Sequence, residues 1–166
     1  MTCYDDYPLR ILLLNLVELL AALVLGAILM AQFGWWAVLF YGAIGCLGLI
    51  LSLAYGCTRC RYYSRVCGLG LGKIASHLFR QRDQGEFGRS PSQTVAWTLV
   101  GLMLALPVAA GLVSLTTGRL LPGLAVLGLY LAVVMAIVLT HSRFVCAHCH
   151  QARDKRCTLG RVARLT

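Results

Sequence analysis

Charge is scarce in this chain: only 13% of its 166 residues are Asp, Glu, Lys or Arg, and only six of those are acidic. Soluble domains carry about 25%. So few acids leave no paired carboxylates for acid–base hydrolysis, and no serine, histidine and acid arrangement suggests a hydrolase. A phosphate loop is also missing. Gly68-Leu69-Gly70-Leu71-Gly72-Lys73 is superficially like one, but its first glycine is one residue too close, Ile74 stands where Ser or Thr is required, and no strand precedes it. The net charge of +9 comes without a recognition motif, so no nucleic-acid partner is expected.

Apolar sequence is what the chain has in excess, at 59% against roughly 45–50% in soluble proteins. Ile11 to Met30, Trp35 to Tyr55, Val95 to Leu115 and Leu121 to Thr140 each supply the roughly 20 residues that cross a hydrocarbon core of about 30 Å. They predict an all-α integral membrane protein with four transmembrane helices. The first is read as a span and not a cleaved leader, because Asp5 and Asp6 precede it and its apolar run exceeds the usual 7–15 or so residues.

Four crossings put the N-terminus, the segment from Gly56 to Thr94 and the C-terminal tail on one side. Every Lys and Arg except Arg119 falls there. The positive-inside rule makes that side cytoplasmic, in the cell membrane, with both termini inside. Trp35 and Trp36 then belong to the outer interface, and Tyr55 and Trp97 to the inner one. The basic charge lies within reach of the anionic inner leaflet, where each residue is worth about 1 kcal/mol.

The chain also repeats itself. Cys57-Thr58-Arg59-Cys60, six residues, Cys67 and then Leu71-Gly72-Lys73-Ile74-Ala75 are matched by Cys146-Ala147-His148-Cys149, seven residues, Cys157 and then Leu159-Gly160-Arg161-Val162-Ala163. Each copy follows a transmembrane hairpin, with expected outer turns at Ala31-Gln32-Phe33-Gly34 and Thr116-Thr117-Gly118-Arg119. The organisation is a hairpin over 1–56, a cysteine segment, amphipathic helix and linker over 57–93, a second hairpin over 94–141, and a second cysteine segment with a basic tail over 142–166. Both halves start on the same side, so they are parallel repeats, which a pseudo-two-fold axis along the membrane normal relates. Such an axis brings the two cysteine segments together beneath the bundle.

Cysteines two residues apart can place both sulfurs on one metal. Two such pairs, each with a third cysteine, make Cys57, Cys60, Cys67, Cys146, Cys149 and Cys157 the candidate metal site. Their spacing resembles the binuclear zinc cluster of fungal transcription regulators, in which two quasi-repeats supply six cysteines to two zinc ions. Arg61, after the second cysteine, also agrees. The resemblance implies shared coordination only, since a transmembrane hairpin replaces the family's short link and no major-groove helix or dimerisation coil is visible. Zinc, one or two ions, is the leading expectation. An iron–sulfur cluster on four of the six, or reactive dithiols handling electrons or soft metal, are the alternatives. The cytoplasmic placement argues against constitutive disulfides. His148 and His150 bracket Cys149 and suit a Cys3His site, but Arg59 and Arg61 take their places in the first copy, which favours surface histidines.

Glu18 is the single carboxylate inside a predicted span, with Asn15 one turn before it. A mid-membrane charge costs at least about 2.5–3.5 kcal/mol, so Glu18 should face protein or water. It reads as a proton relay, a contact with another subunit, or a hydrogen-bonded residue that fixes helix packing. Pro107 occupies the matching place in the second half and is expected to kink the third span. Gly42, Gly45 and Gly48 suggest a small-residue face for close helix contact, with Cys46 as a packing residue, whereas Cys3 is open to acylation or a free thiol. Leu71, Ile74, Ala75, Leu78 and Phe79 form the apolar face of an amphipathic helix. Lys73, Arg80 and Arg82 on its other side are the candidate lipid contacts.

A strong structural constellation with almost no acid–base chemistry points to a non-enzymatic accessory or scaffold subunit of a membrane assembly. Its partners are inner-leaflet lipids and other membrane subunits, and a thiolate metal site clasps its halves. A redox or soft-metal transfer protein is the second expectation.

Overall fold

Four helices long and apolar enough to cross a membrane dominate the computed structural model, which describes residues 3–116 and 120–153. They are α1 (Leu9–Ala31), α2 (Trp35–Leu51), α4 (Pro91–Thr116) and α5 (Leu120–Thr140). Two short helices, α3 (Leu71–Leu78) and α6 (His150–Arg153), lie outside the bundle. The architecture is that of a multi-pass, all-helical membrane protein. Cys157, the second Leu-Gly-Arg segment and 117–119 of the expected outer turn lie outside the described residues.

Each long helix divides into a lipid-facing and a protein-facing side. On α1, Leu13, Val17, Leu20, Val24 and Ile28 point outward, whereas Ile11, Asn15, Ala22, Gly26 and Leu29 are buried. Exposed leucines and valines are the expected surface where the solvent is hydrocarbon and every backbone polar group is satisfied within the helix. α1 packs chiefly on α5 and α2 chiefly on α4, with α4 also against α5. The turn joining the first hairpin falls at Gln32–Gly34, as expected, and Gly34 takes a φ of 99° that a side chain would oppose.

Small residues set the spacing at two places. Gly26 of α1 faces the Tyr41 hydroxyl and Pro107 Cγ, so Pro107 packs about two turns beyond Glu18 and not opposite it. Gly45 and Gly48 face Met103, Leu99 and Val100 of α4, while Gly42 meets open space and Cys46 is exposed on the lipid side.

Candidate functional site: the cysteine turns and their tyrosine junction

The two CxxC segments follow the same backbone path. α2 passes into a π-turn at Ser52–Gly56 and a 3-10 turn at Cys57–Arg59, and α5 passes into a π-turn at His141–Val145 and a 3-10 turn at Cys146–His148. Each ends on an extended cysteine whose amide closes the turn, Cys60 N–H on Cys57 O at 3.2 Å and Cys149 N–H on Cys146 O at 3.3 Å. Bulges of this kind inside helices commonly mark functional segments.

The turns meet at a junction that neither supplies alone. Tyr7, Ile11, Tyr62 and Val145 form a buried cluster, and Tyr4, Cys60, Cys67 and Cys149 pack around it. The N-terminal segment runs between the turns. Tyr7 N–H donates to Val66 O at 3.0 Å and the Tyr7 hydroxyl to Val145 O at 2.8 Å. Tyr4 N–H donates to His148 O at 3.1 Å, and the Tyr62 hydroxyl to Tyr4 O at 2.8 Å. Asp6 accepts from Val66 N–H at 2.8 Å, and Asp5 lies 3.2 Å from Arg65 and 3.5 Å from His150. The two cysteine segments also touch directly, through Arg61 N–H on the Gln151 amide oxygen at 3.3 Å and through Gly68, which faces the Val145 side chain.

Thiols surround this junction. Cys57 stands within electrostatic range of Cys60 and Cys67, the Tyr7 hydroxyl within range of Cys146 and Cys149, and the Tyr62 hydroxyl within range of Cys149 and Cys3. Burial, reinforced by these neighbours, pushes the Tyr7 hydroxyl far above the ordinary phenol range and Tyr62 up to about 12. The described cysteines are not in disulfides, and all but Cys46 are partly buried. That is the donor chemistry zinc takes, yet among the described residues no three His, Cys, Asp or Glu side chains gather closely enough to hold one ion. His148 and His150 are half-buried against tyrosines, with the His148 and Tyr4 rings stacked at 4.8 Å.

Arg59 holds the linker to the first turn. It is buried, donates to Tyr55 O at 3.1 Å, and pairs with Glu86 at 3.0 Å. The Arg82 guanidinium lies 4.9 Å from the Tyr55 ring centre, and Arg82 N–H donates to Thr58 O, so this candidate lipid residue is also part of the turn's packing. Lys73 and Arg80 are exposed. α3 ends at Leu78, one residue earlier than the apolar pattern suggests, because Phe79 turns extended and accepts the Tyr63 hydroxyl at 2.7 Å. Its Gly72 and Ala75 are buried, while Ile74 and Leu78 are exposed.

Asn15 and Glu18 face α5 and its π-turn, one turn and two turns beyond Ile11 of the tyrosine junction. Thr140 donates to Glu18 Oε2 at 2.6 Å, and Asn15 Oδ1 lies 3.4 Å from His141 Nδ1. Nothing in the sequence marks Thr140 and His141 as partners of Glu18, since they carry no pattern that sets them apart. Nor does any spacing in it mark Asp5 and Asp6 as contacts of Arg65 and Val66. The signal within reach was the polar, aromatic run Tyr4-Asp5-Asp6-Tyr7 before the first span.

No protein-family model, curated protein or solved structure matches this chain at a significant level.

Proposed function

We propose that the protein is a non-enzymatic accessory or scaffold subunit of a membrane assembly, whose two hairpins are parallel repeats clasped on the cytoplasmic side by the cysteine segments. The observation that carries this reading is the convergence of two identically folded CxxC turns on one tyrosine junction, reached from opposite ends of the chain. The helix pairings support it. A two-fold axis that exchanges the hairpins exchanges α1 with α4 and α2 with α5, and so converts the α1–α5 packing into the α4–α2 packing, the two most extensive in the bundle. The π-turns and the 3-10 turns are both separated by the same 89 residues, 141 − 52 and 146 − 57.

The thiolates of Cys57, Cys60, Cys67, Cys146, Cys149 and Cys157 hold zinc in this reading, which supplies a structural cross-link and no redox step. The described turns provide two thiol pairs, the four ligands one ion takes, and a second ion draws on Cys67 and Cys157 as well. The placement of Lys and Arg supports a cytoplasmic site, and exposed Ile74 and Leu78 beside Lys73 support an α3 that rests on anionic inner-leaflet lipid. With so little polar chain outside the bundle, the exposed faces of the cysteine segments are the surface for other subunits.

Elemental analysis of the purified full-length protein tests the reading. A colourless sample with stoichiometric zinc that is lost from both turns in either Cys57→Ser or Cys146→Ser is expected. Iron with visible absorption gives the redox alternative instead, and metal retained at one turn when the other is mutated breaks the clasp.

A further inference from the structure

One polar cluster is not used by the clasp. It lies between α1 and the end of α5, about two and a half turns into α1 from Leu9, on the cysteine-turn side of the bundle. Asn15 is buried, and its Nδ2 donates to Ile11 O at 2.8 Å. Its Oδ1 can only accept, so the 3.4 Å contact with His141 is a hydrogen bond in the tautomer that carries its hydrogen on Nδ1. The His141 ring stands within electrostatic range of Glu18.

Thr140 gives the cluster two protonation states on one geometry. Its Oγ1 is 2.6 Å from Glu18 Oε2 and 2.8 Å from Ala136 O, and a hydroxyl has a single hydrogen to share between them. When that hydrogen points at Glu18, the carboxyl is ionised. When it points at Ala136 O, the short contact is a hydrogen bond only if Glu18 carries a proton and donates it to the hydroxyl oxygen. Neither state requires the heavy atoms to move.

We propose that Asn15, Glu18, Thr140 and His141 form a proton-binding site inside the membrane, holding one proton between the Glu18 carboxyl and the His141 imidazole. With that proton bound, as carboxylic acid and imidazole or as carboxylate and imidazolium, the pair is neutral. Its release to solvent leaves the carboxylate and neutral imidazole, with one negative charge. An unpaired carboxylate in hydrocarbon is costly, which is why a partner that can share a proton is needed at this depth.

Other groups on the packed elements do not compete for it. α4 contains no Asp, Glu, Lys, Arg, His, Tyr or Cys. Tyr41 of α2 faces Gly26, Cys46 of α2 is exposed, and Tyr130 of α5 donates to Leu104 O at 2.9 Å. Arg10 and Arg143 are exposed, and Tyr7 is engaged with Val145 O. The site and the second cysteine turn are joined by one segment, since His141 opens the π-turn that ends at Val145, next to Cys146.

Infrared difference spectroscopy of the full chain in lipid nanodiscs, titrated with pH, tests the site. A carboxylic acid C=O band that appears on acidification and shifts in heavy water is expected. It should vanish in Glu18→Gln, which keeps the contact to Thr140. In His141→Asn, which keeps a donor for Asn15 but cannot take a second proton, its midpoint should shift. Glu18 and Glu86 are the only glutamates, so carboxyl-labelled glutamate in Glu86→Gln assigns the band even if Glu18→Gln does not fold. A labelled Glu18 that never changes protonation across the titration overturns the proposal, and so does a midpoint that His141→Asn leaves in place. The outcome does not depend on whether the thiols bind metal.

Discussion

The Tyr7 hydroxyl donates to the carbonyl oxygen of Val145 at 2.8 Å, although 138 residues separate them in the chain. Val145 ends the π-turn that leads into Cys146, and Tyr7 ends the extended segment that leads into α1. One hydrogen bond thus ties the entry of the first span to the exit of the last, in a buried place where an unmet carbonyl is expensive.

Tyr7→Phe removes that donor while keeping the ring, and is expected to cost about 1–2 kcal/mol of stability. Because Cys60 and Cys149 pack against the same cluster, both should react faster with a maleimide in the variant. Thermal unfolding and thiol-labelling rates measured on the same sample check this. Unchanged rates at both cysteines would show that the junction does not shield the thiols.

Gly72→Ala should be far more damaging than its size suggests. A Cβ there runs into the carbonyl oxygens of Tyr62 and Arg65, backbone atoms that cannot rotate away, so a loss near 3 kcal/mol is expected, the upper end for overpacking. Gly42→Ala, where nothing lies within 4 Å, serves as the control and should be neutral or slightly stabilising. Equal effects from the two substitutions would contradict the packing of α3 on the first cysteine segment.

Alkaline titration should reveal the junction. Burial raises Tyr62 from 10.0 to about 12, so the folded state holds this proton more tightly than the unfolded state does. The contribution to stability is therefore complete below pH 10 and is lost as pH rises through about 12. Tyrosinate absorbance should show a late-titrating component that is diminished in Tyr62→Phe, with loss of tertiary signal in the same window.

Removing Lys73 or Arg80 should weaken the affinity for anionic lipid bound beside α3 by about 1 kcal/mol each, or roughly fivefold, and leave neutral lipid unaffected. Arg82→Ala should lower stability as well, because its guanidinium covers the Tyr55 ring. Anionic lipid retained by the purified protein at matched salt, measured beside thermal unfolding, separates the two effects.

How much of this was legible beforehand differs by element. The four spans could be read because a helix in hydrocarbon closes its own backbone hydrogen bonds, so a run of apolar residues is nearly sufficient to specify it. The CxxC turns were legible as a repeated local pattern, and α3 as a 3.6-residue periodicity that failed only at Phe79, where Tyr63 offers a competing hydrogen bond. Gly45 and Gly48 meet α4 but Gly42 does not, because which small residues face a neighbour depends on how the helix is rotated.

Sequence alone determined that this chain has four segments long and apolar enough to cross a membrane and duplicated thiol pairs beside them, because span length and CxxC spacing are local properties. Only the tertiary structure decided that Tyr4 to Tyr7 thread between those pairs, that Arg59 is buried against Tyr55 and Glu86, and that Glu18 meets Thr140 and His141. Each of these depends on which helix packs on which and at what rotation, and no periodicity within one segment encodes that choice.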